Sequence, residues 1–217
     1  MKKIIILDYQ LGNLFSVNQA CQKVKINSSI SSNWKDIKKA DAIILPGVGS
    51  YYKAMDNIKK LDLINPLNDF IFESKPLFGI CLGMQLLFSD SEEFGKTEGL
   101  GHIKGSIKKF KKGDVFNKRM RIPQIGWNTI KNSNNQLWRN SPLKTLKKND
   151  YMYFIHSYYA IPYHESNILS TTNYENFEYV SSISNNKNIF ATQFHPEKSG
   201  TIGLAIYKNW AMLNDLI

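Results

Sequence analysis

Cysteine is scarce in this 217-residue chain, which has two, Cys21 and Cys81. Two thiols cannot make a disulfide framework. Only four histidines are present, none at ligand spacing from either cysteine, so no metal or other cofactor is expected. Long apolar runs are also missing. Ile4 to Leu7 and Ala42 to Leu45 are far too short to span a bilayer. Lys2 and Lys3 precede the first run, but Asp8 stops it at once. No secretory signal is read there, and the expected location is cytoplasmic, without membrane contact. Acidic residues are outnumbered, 18 against 28 basic, which gives a formal net charge of +10. Such an excess can serve nucleic acid or a phosphorylated ligand. Here the lysines are spread among many Asn and Ile, which reads as compositional bias and not as a nucleic-acid surface. The densest stretch, Lys104 to Lys112, alternates with Ile107 and Phe110 and fits an exposed strand edge. Repeats, low-complexity tracts and linkers are lacking too, so residues 1–217 are expected to form a single domain.

What is present is the pattern of an α/β protein. Apolar runs at Lys3 to Leu7, Ala42 to Leu45 and Leu77 to Ile80 suit buried parallel strands. Helical spacing covers Leu14 to Val24, Leu61 to Phe72 and Cys81 to Phe88. Alternating strands and helices imply a parallel or mixed central sheet flanked by helices on both faces. The second half reads as strands at Ile103 to Phe110, Ile122 to Ile130, Tyr151 to Ile155, Ile168 to Thr172, Tyr179 to Ser184 and Ile189 to Phe194. Asn- and Gly-rich turns between them favour additional antiparallel pairing. Asn132 to Asn135 reads as a loop, and Gly203 to Leu213 as a closing helix.

Three motifs carry chemistry. Gly79-Ile80-Cys81-Leu82-Gly83 is a Gly-x-Cys-x-Gly turn between an apolar strand and an apolar helix, the cysteine form of a nucleophile elbow. A sharp turn there presents the sulfur at the sheet edge, and free amides at the helix start favour the thiolate. The alternative is an inert core cysteine, the reading given to Cys21. In Gln193-Phe194-His195-Pro196-Glu197, His195 and Glu197 are two residues apart, so extended backbone would put them on one side. The carboxylate would then hold the imidazole in the tautomer that takes a proton from a thiol. Alternatively, His195 ends a strand and Glu197 opens a helix. Pro46-Gly47-Val48-Gly49 follows a strand but lacks the third glycine of a dinucleotide fingerprint, since position 52 is Tyr. It suits backbone amides turned toward an oxyanion, or a plain structural turn.

At these residues the chain resembles the class I (triad) glutamine amidotransferases, and more narrowly the glutaminase subunits of imidazole glycerol phosphate synthase. The closer resemblance is carried by Asp8-Tyr9 with Gly12-Asn13-Leu14, by Pro46 to Gly49, by Gly79 to Gln85, by Ile125-Gly126-Trp127-Asn128 and by His195 to Ser199. The resemblance implies the class I amidotransferase fold and a glutaminase in which Cys81 forms a glutamyl thioester. His195 acts as base and then acid, and Glu197 orients it. Leu82 and the Gly47, Val48, Gly49 loop make the oxyanion hole. Gln85, Ser157 and Tyr158 hold the amino-acid end of glutamine. Asn13, Trp127 and Lys198 face a cyclase partner, an ammonia-accepting synthase subunit, in a heterodimer. Gln10-Leu11 stands where the family often has glycines, Gln124 where His is common, and residues 132–149 match no motif. Two other functions compete with this one: a paralogous subunit feeding a sugar amidotransferase, and a free-standing cysteine hydrolase of glutamyl substrates.

Overall fold

The computed structural model describes residues 2–111, 120–147 and 150–217. The first half alternates as β1 (Ile4–Leu7), α1 (Leu14–Lys23), β2 (Ser28–Ser31), α2 (Trp34–Lys39), β3 (Ala42–Leu45), α3 (Tyr51–Lys60), α4 (Ile64–Phe72), β4 (Leu77–Ile80) and α5 (Leu82–Leu86). Short strands follow: β5 (Phe88–Ser91), β6 (Thr97–Glu98), β7 (Ile103–Lys109), β8 (Gln124–Thr129) and β9 (Lys131–Asn132). After α6 (Asn135–Arg139) come β10 (Tyr151–His156), β11 (Tyr158–Pro162), β12 (Ile168–Tyr174), β13 (Phe177–Ser184), β14 (Ile189–Thr192) and α7 (Gly200–Leu213).

Twelve strands form one mixed sheet, in the order β2-β1-β3-β4-β14-β13-β11-β7-β5-β6, with β12 on β13 and β9 on β12. Strands β2, β1, β3, β4 and β14 run parallel. Side-chain alternation sorts them into two cores. Ile4, Ile6, Ile44, Phe78 and Ile80 pack with Val17 and Cys21 of α1 and with Tyr207 and Trp210 of α7. Ile5, Leu7, Ile43, Leu45 and Leu77 pack with Ala54 and Ile58 of α3 and with Leu67 and Phe70 of α4. Each such buried aliphatic side chain contributes about 1.5–3 kcal/mol. Helices therefore cover both faces, as the alternation predicts, and Cys21 is an inert, fully buried core residue.

Several expectations need correction. The helix after Cys81 has five residues, not eight. The carbonyls of Leu86, Leu87 and Phe88 accept from Leu100, Ile103 and Gly101, and this crossing chain ends the helix and starts β5. The helix expected from Leu61 starts at Ile64, because Asp62 at φ 53° breaks the backbone after α3. Asn132 to Asn135 is not a plain loop: Lys131 and Asn132 pair with β12, and Asn134 caps α6. The second half is not wholly antiparallel, since β14 runs parallel to β4 and β7 parallel to β5. Strand β7 is not an edge; it lies between β11 and β5, and its lysines project outward from an internal strand. Lys112, at the end of that basic stretch, falls outside the described residues.

Strands β8 and β10 form a separate antiparallel pair. Gln124, Met152, Phe154 and His156 of this pair face the interior. The other face aligns Ile125 with Ile155 and Trp127 with Tyr153. That pairing leaves Ile125, Trp127 and Ile155 exposed side by side.

Candidate active site

Cys81 occupies the turn between β4 and α5. Its backbone sits at φ 53°, ψ −109°, where an L side chain is strained. Its N–H donates to Thr192 O at 2.7 Å, and its carbonyl accepts from Gln85 N–H at 3.2 Å. Gly83 is required for close approach: a Cβ there would stand 1.8 Å from Leu45 O. The sulfur therefore sits at the carboxyl ends of the parallel strands, where the exits of β3 and β14 also converge, the usual place for a ligand in an α/β sheet.

The β14 exit brings in His195, whose Nδ1 is 2.7 Å from Glu197 Oε1. The pairing holds, but not through extended backbone. Pro196–Lys198 is a 3-10 turn, and Glu197 returns to the imidazole from within it. The extended-backbone expectation is thus corrected, while the alternative, a helical turn opening after His195, matches the backbone. Ser199 fixes the turn: its hydroxyl donates to His195 O at 2.7 Å and accepts from Tyr153 N–H at 3.0 Å. His195 N–H donates to Tyr153 O at 2.9 Å, which straps the turn to β10. Burial pushes the His195 imidazole down, but the Cys81 thiolate and the Glu197 carboxylate outweigh it and raise the group to about 10. His195 Nε2 has no other partner among the described residues.

Cys81 opens into a cavity of about 320 Å³. Val48, Gly49, Leu82 and Gln85 line one side, and Ser157, Tyr158 and Lys198 the other. Every expected oxyanion and substrate-holding residue except Gly47 is on the wall. Gly47 lies beneath it, against Tyr9 and Leu82. The Val48 N–H donates to Leu11 O at 3.4 Å, and Gly49 is at φ 95°. Asn13 is not on the wall; its side chain caps α1 by accepting from Ser16 N–H at 3.3 Å. Trp127 lies outside the cavity, edge-on to Tyr153 with ring centroids 5.8 Å apart. Lys198 Nζ sits 5.6 Å from the centroid of that same Tyr153 ring. On the wall as well, His156 Nδ1 donates to Tyr158 O at 2.8 Å. Burial chiefly, and His195 to a lesser degree, lower His156 to about 4 despite that bond.

Sequence reasoning missed Glu93, the acidic residue on the cavity wall. Its carboxylate accepts the N–H of Tyr51 at the start of α3. No motif surrounds it, and only the fold carries it to Cys81. No cluster of three or more His, Cys, Asp or Glu suited to a metal occurs among the described residues. No helix there is long and apolar enough to cross a membrane.

Residues 6–212 match the family profile Glutamine amidotransferase class-I. The chain is 41% identical to "Imidazole glycerol phosphate synthase subunit HisH" of Bacillus subtilis (strain 168), covering 93% of this chain and 92% of that one. It is 44% identical to the protein of the same name from Prochlorococcus marinus (strain NATL2A), covering 97% and 96%. Among solved structures, "Crystal structure of glutamine amidotransferase" shares the fold with a TM-score of 0.72 at 14% identity, covering 97% of this chain and 98% of that one. "Structure of PurLQS from Thermotoga maritima" also superposes with a TM-score of 0.72, at 16% identity and the same coverage. The chain therefore belongs to the class-I glutamine amidotransferase family and, within it, groups with the HisH subunits of imidazole glycerol phosphate synthase.

Proposed function

We propose that this chain, as one domain, hydrolyses glutamine to glutamate and ammonia at Cys81. The ammonia passes to a cyclase partner that makes imidazole glycerol phosphate and aminoimidazole carboxamide ribotide in histidine biosynthesis. The observation that carries the reading is the His195–Glu197 pair set beside a strained cysteine that opens into a small-molecule cavity. His195 takes the thiol proton, the thiolate attacks the carboxamide, and His195 returns the proton to departing ammonia. Water then cleaves the thioester by the same base. Leu82 N–H, with an amide from the Val48–Gly49 loop, holds the oxyanion, a contribution of about 2.7–4 kcal/mol per donor. Ser157, Tyr158 and Gln85 hold the amino-acid end, and the Glu93 carboxylate answers the α-ammonium.

The Val48 amide is committed to Leu11 O, so it must turn to serve an oxyanion. We assign that turn to partner docking, which makes the isolated chain nearly silent. The exposed Ile125, Trp127 and Ile155 beside the cavity supply an apolar docking face in the cytoplasmic heterodimer. Cys81→Ala tests the whole reading. It is expected to abolish synthesis from glutamine and to spare synthesis from added ammonium. Loss of both would make Cys81 structural.

A further inference from the structure

Gln193 opens the run that contains His195, yet no step above uses it. It is fully buried, and its carboxamide lies between Gln85 and the sulfur. The direction of that carboxamide is set by its neighbours. The Tyr158 carbonyl accepts only, and it lies 3.1 Å from one end of the Gln85 amide, so that end is Nε2. The same nitrogen is 2.9 Å from Gln193, so the Gln193 atom facing it is Oε1. By elimination Gln193 turns its Nε2 to Cys81 Sγ, at 3.6 Å. Besides His195, the sulfur also meets Ile155 O at 3.9 Å, which accepts from a thiol and offers nothing to a thiolate. Gln193 and Ile155 O favour opposite protonation states.

We propose that Gln193 is a further catalytic residue of the glutaminase reaction, whose Nε2–H donates to the Cys81 thiolate and holds it for attack. Gln85 and the Tyr158 carbonyl act as positioning groups that keep the amide in that direction. The inference rests on the glutaminase reading for its purpose, but its geometry stands without a substrate. In the step, the S–H bond breaks, the proton passes to His195 Nε2, and the electron pair remains on sulfur, where the Gln193 N–H meets it. A hydrogen bond to a charged acceptor is worth more than one to a neutral group, so Gln193 selects the anion. It also explains why Gln85 is buried at the cavity wall with both amide hydrogens spent on protein groups.

The test is the rate at which iodoacetamide alkylates Cys81 in the full chain, followed on the Cys81 peptide between about pH 5 and 9. Other titratable groups near the sulfur stay in place: His195 with Glu197, Tyr9 and Tyr179 on the buried side, and Glu93, His156, Tyr158 and Lys198 in the cavity. Gln193→Leu is expected to move the pH midpoint up by about one unit and to slow alkylation roughly tenfold on the acid side of the parent's midpoint. Gln193→Glu keeps the size and an acceptor for Gln85, and guards against a leucine variant that fails to fold. Its carboxylate is expected to move the midpoint further in the same direction. A folded variant whose profile superimposes on the parent overturns the proposal, as does faster alkylation of the glutamate variant. Labelling of the parent, docked on its cyclase partner, by a glutamine-mimicking electrophile separates the two claims. Without such labelling the glutaminase reading falls while the pH shift stands; with it and no shift, only the role of Gln193 falls.

Discussion

The Nδ1 of His195 and the Oε1 of Glu197 meet at 2.7 Å with side chains 2% and 1% exposed, so water does not compete for either. Such a bond fixes the tautomer: Nδ1 carries a proton and Nε2 faces the sulfur. Glu197→Gln keeps the shape and removes the charge. Glutamine-dependent turnover in the assembled complex is expected to fall about 10²–10⁴-fold, with ammonium-dependent synthesis unchanged. Because the carboxylate helps to raise His195, the same variant should ease deprotonation of the imidazolium. Steady-state kinetics across pH reads both effects, and unchanged turnover would remove Glu197 from the triad.

Strain at Cys81 makes an opposite kind of prediction, one in which an inactive protein is more stable. At φ 53°, ψ −109°, any residue with a Cβ is strained, and glycine is not. Cys81→Ala and Cys81→Gly both lose the nucleophile. Glycine costs about 0.5–1 kcal/mol of chain entropy relative to alanine, and the relieved strain is about 1–3 kcal/mol. The glycine variant is therefore expected to unfold at higher urea than the alanine variant. The reverse order would mean that the turn imposes no strain.

How much of this was legible in the sequence follows from which forces act locally. Strands β1, β3 and β4 showed because every residue in them is buried, and burial writes a continuous apolar run. Strand β2, Ser-Ser-Ile-Ser, is an edge that pairs only with β1 among the described strands, so its backbone bonds carry it and its side chains leave no pattern. Strand β11 ends in a proline and holds its place by register with Ser106 to Lys109 of β7, a contact distant in sequence. Helix α3 was legible and was missed: its buried Tyr51, Ala54, Met55 and Ile58 follow the i, i+3, i+4, i+7 spacing of an amphipathic helix. The triad was readable because Cys81, His195 and Glu197 sit in short motifs with local logic. Glu93 was not, since it reaches the cavity through the β5–β6 turn. The His195–Glu197 pair was expected for the wrong local reason: the contact is made by a 3-10 turn and not by an extended strand.

His156 makes stability fall in acid. Its folded value is about 4, while the unfolded imidazole titrates near its ordinary value of 6.5. Between these limits the unfolded chain binds a proton that the folded chain excludes, so stability present above pH 6.5 is lost as pH falls toward 4. The full loss is about 3 kcal/mol. His195 has the opposite sign: its contribution is whole below its unfolded value and fades as pH rises through about 10. Urea unfolding at successive pH values should show the acid slope. His156→Gln, which keeps a donor for the Tyr158 carbonyl, should flatten it. An equal slope in that variant would place the acid sensitivity elsewhere.

Trp127 separates stability from assembly. Its ring is 56% exposed in the free chain, with Ile125 and Ile155 exposed on the same face. One edge meets Tyr153, and more than half of the residue's surface stays in solvent. Trp127→Ala should therefore shift the stability of the isolated chain by no more than about 0.5 kcal/mol. A tryptophan that becomes buried at an interface is a different matter, since such anchors often cost 2 kcal/mol or more on truncation. Affinity for the cyclase partner is expected to fall roughly thirtyfold, read by titration calorimetry. Because Tyr153 touches both Trp127 and Lys198, and Lys198 lines the cavity, glutamine turnover at saturating partner should fall as well. Unchanged affinity would move the docking face off the β8–β10 pair. Reduced affinity with full turnover would show that docking and switching use different residues.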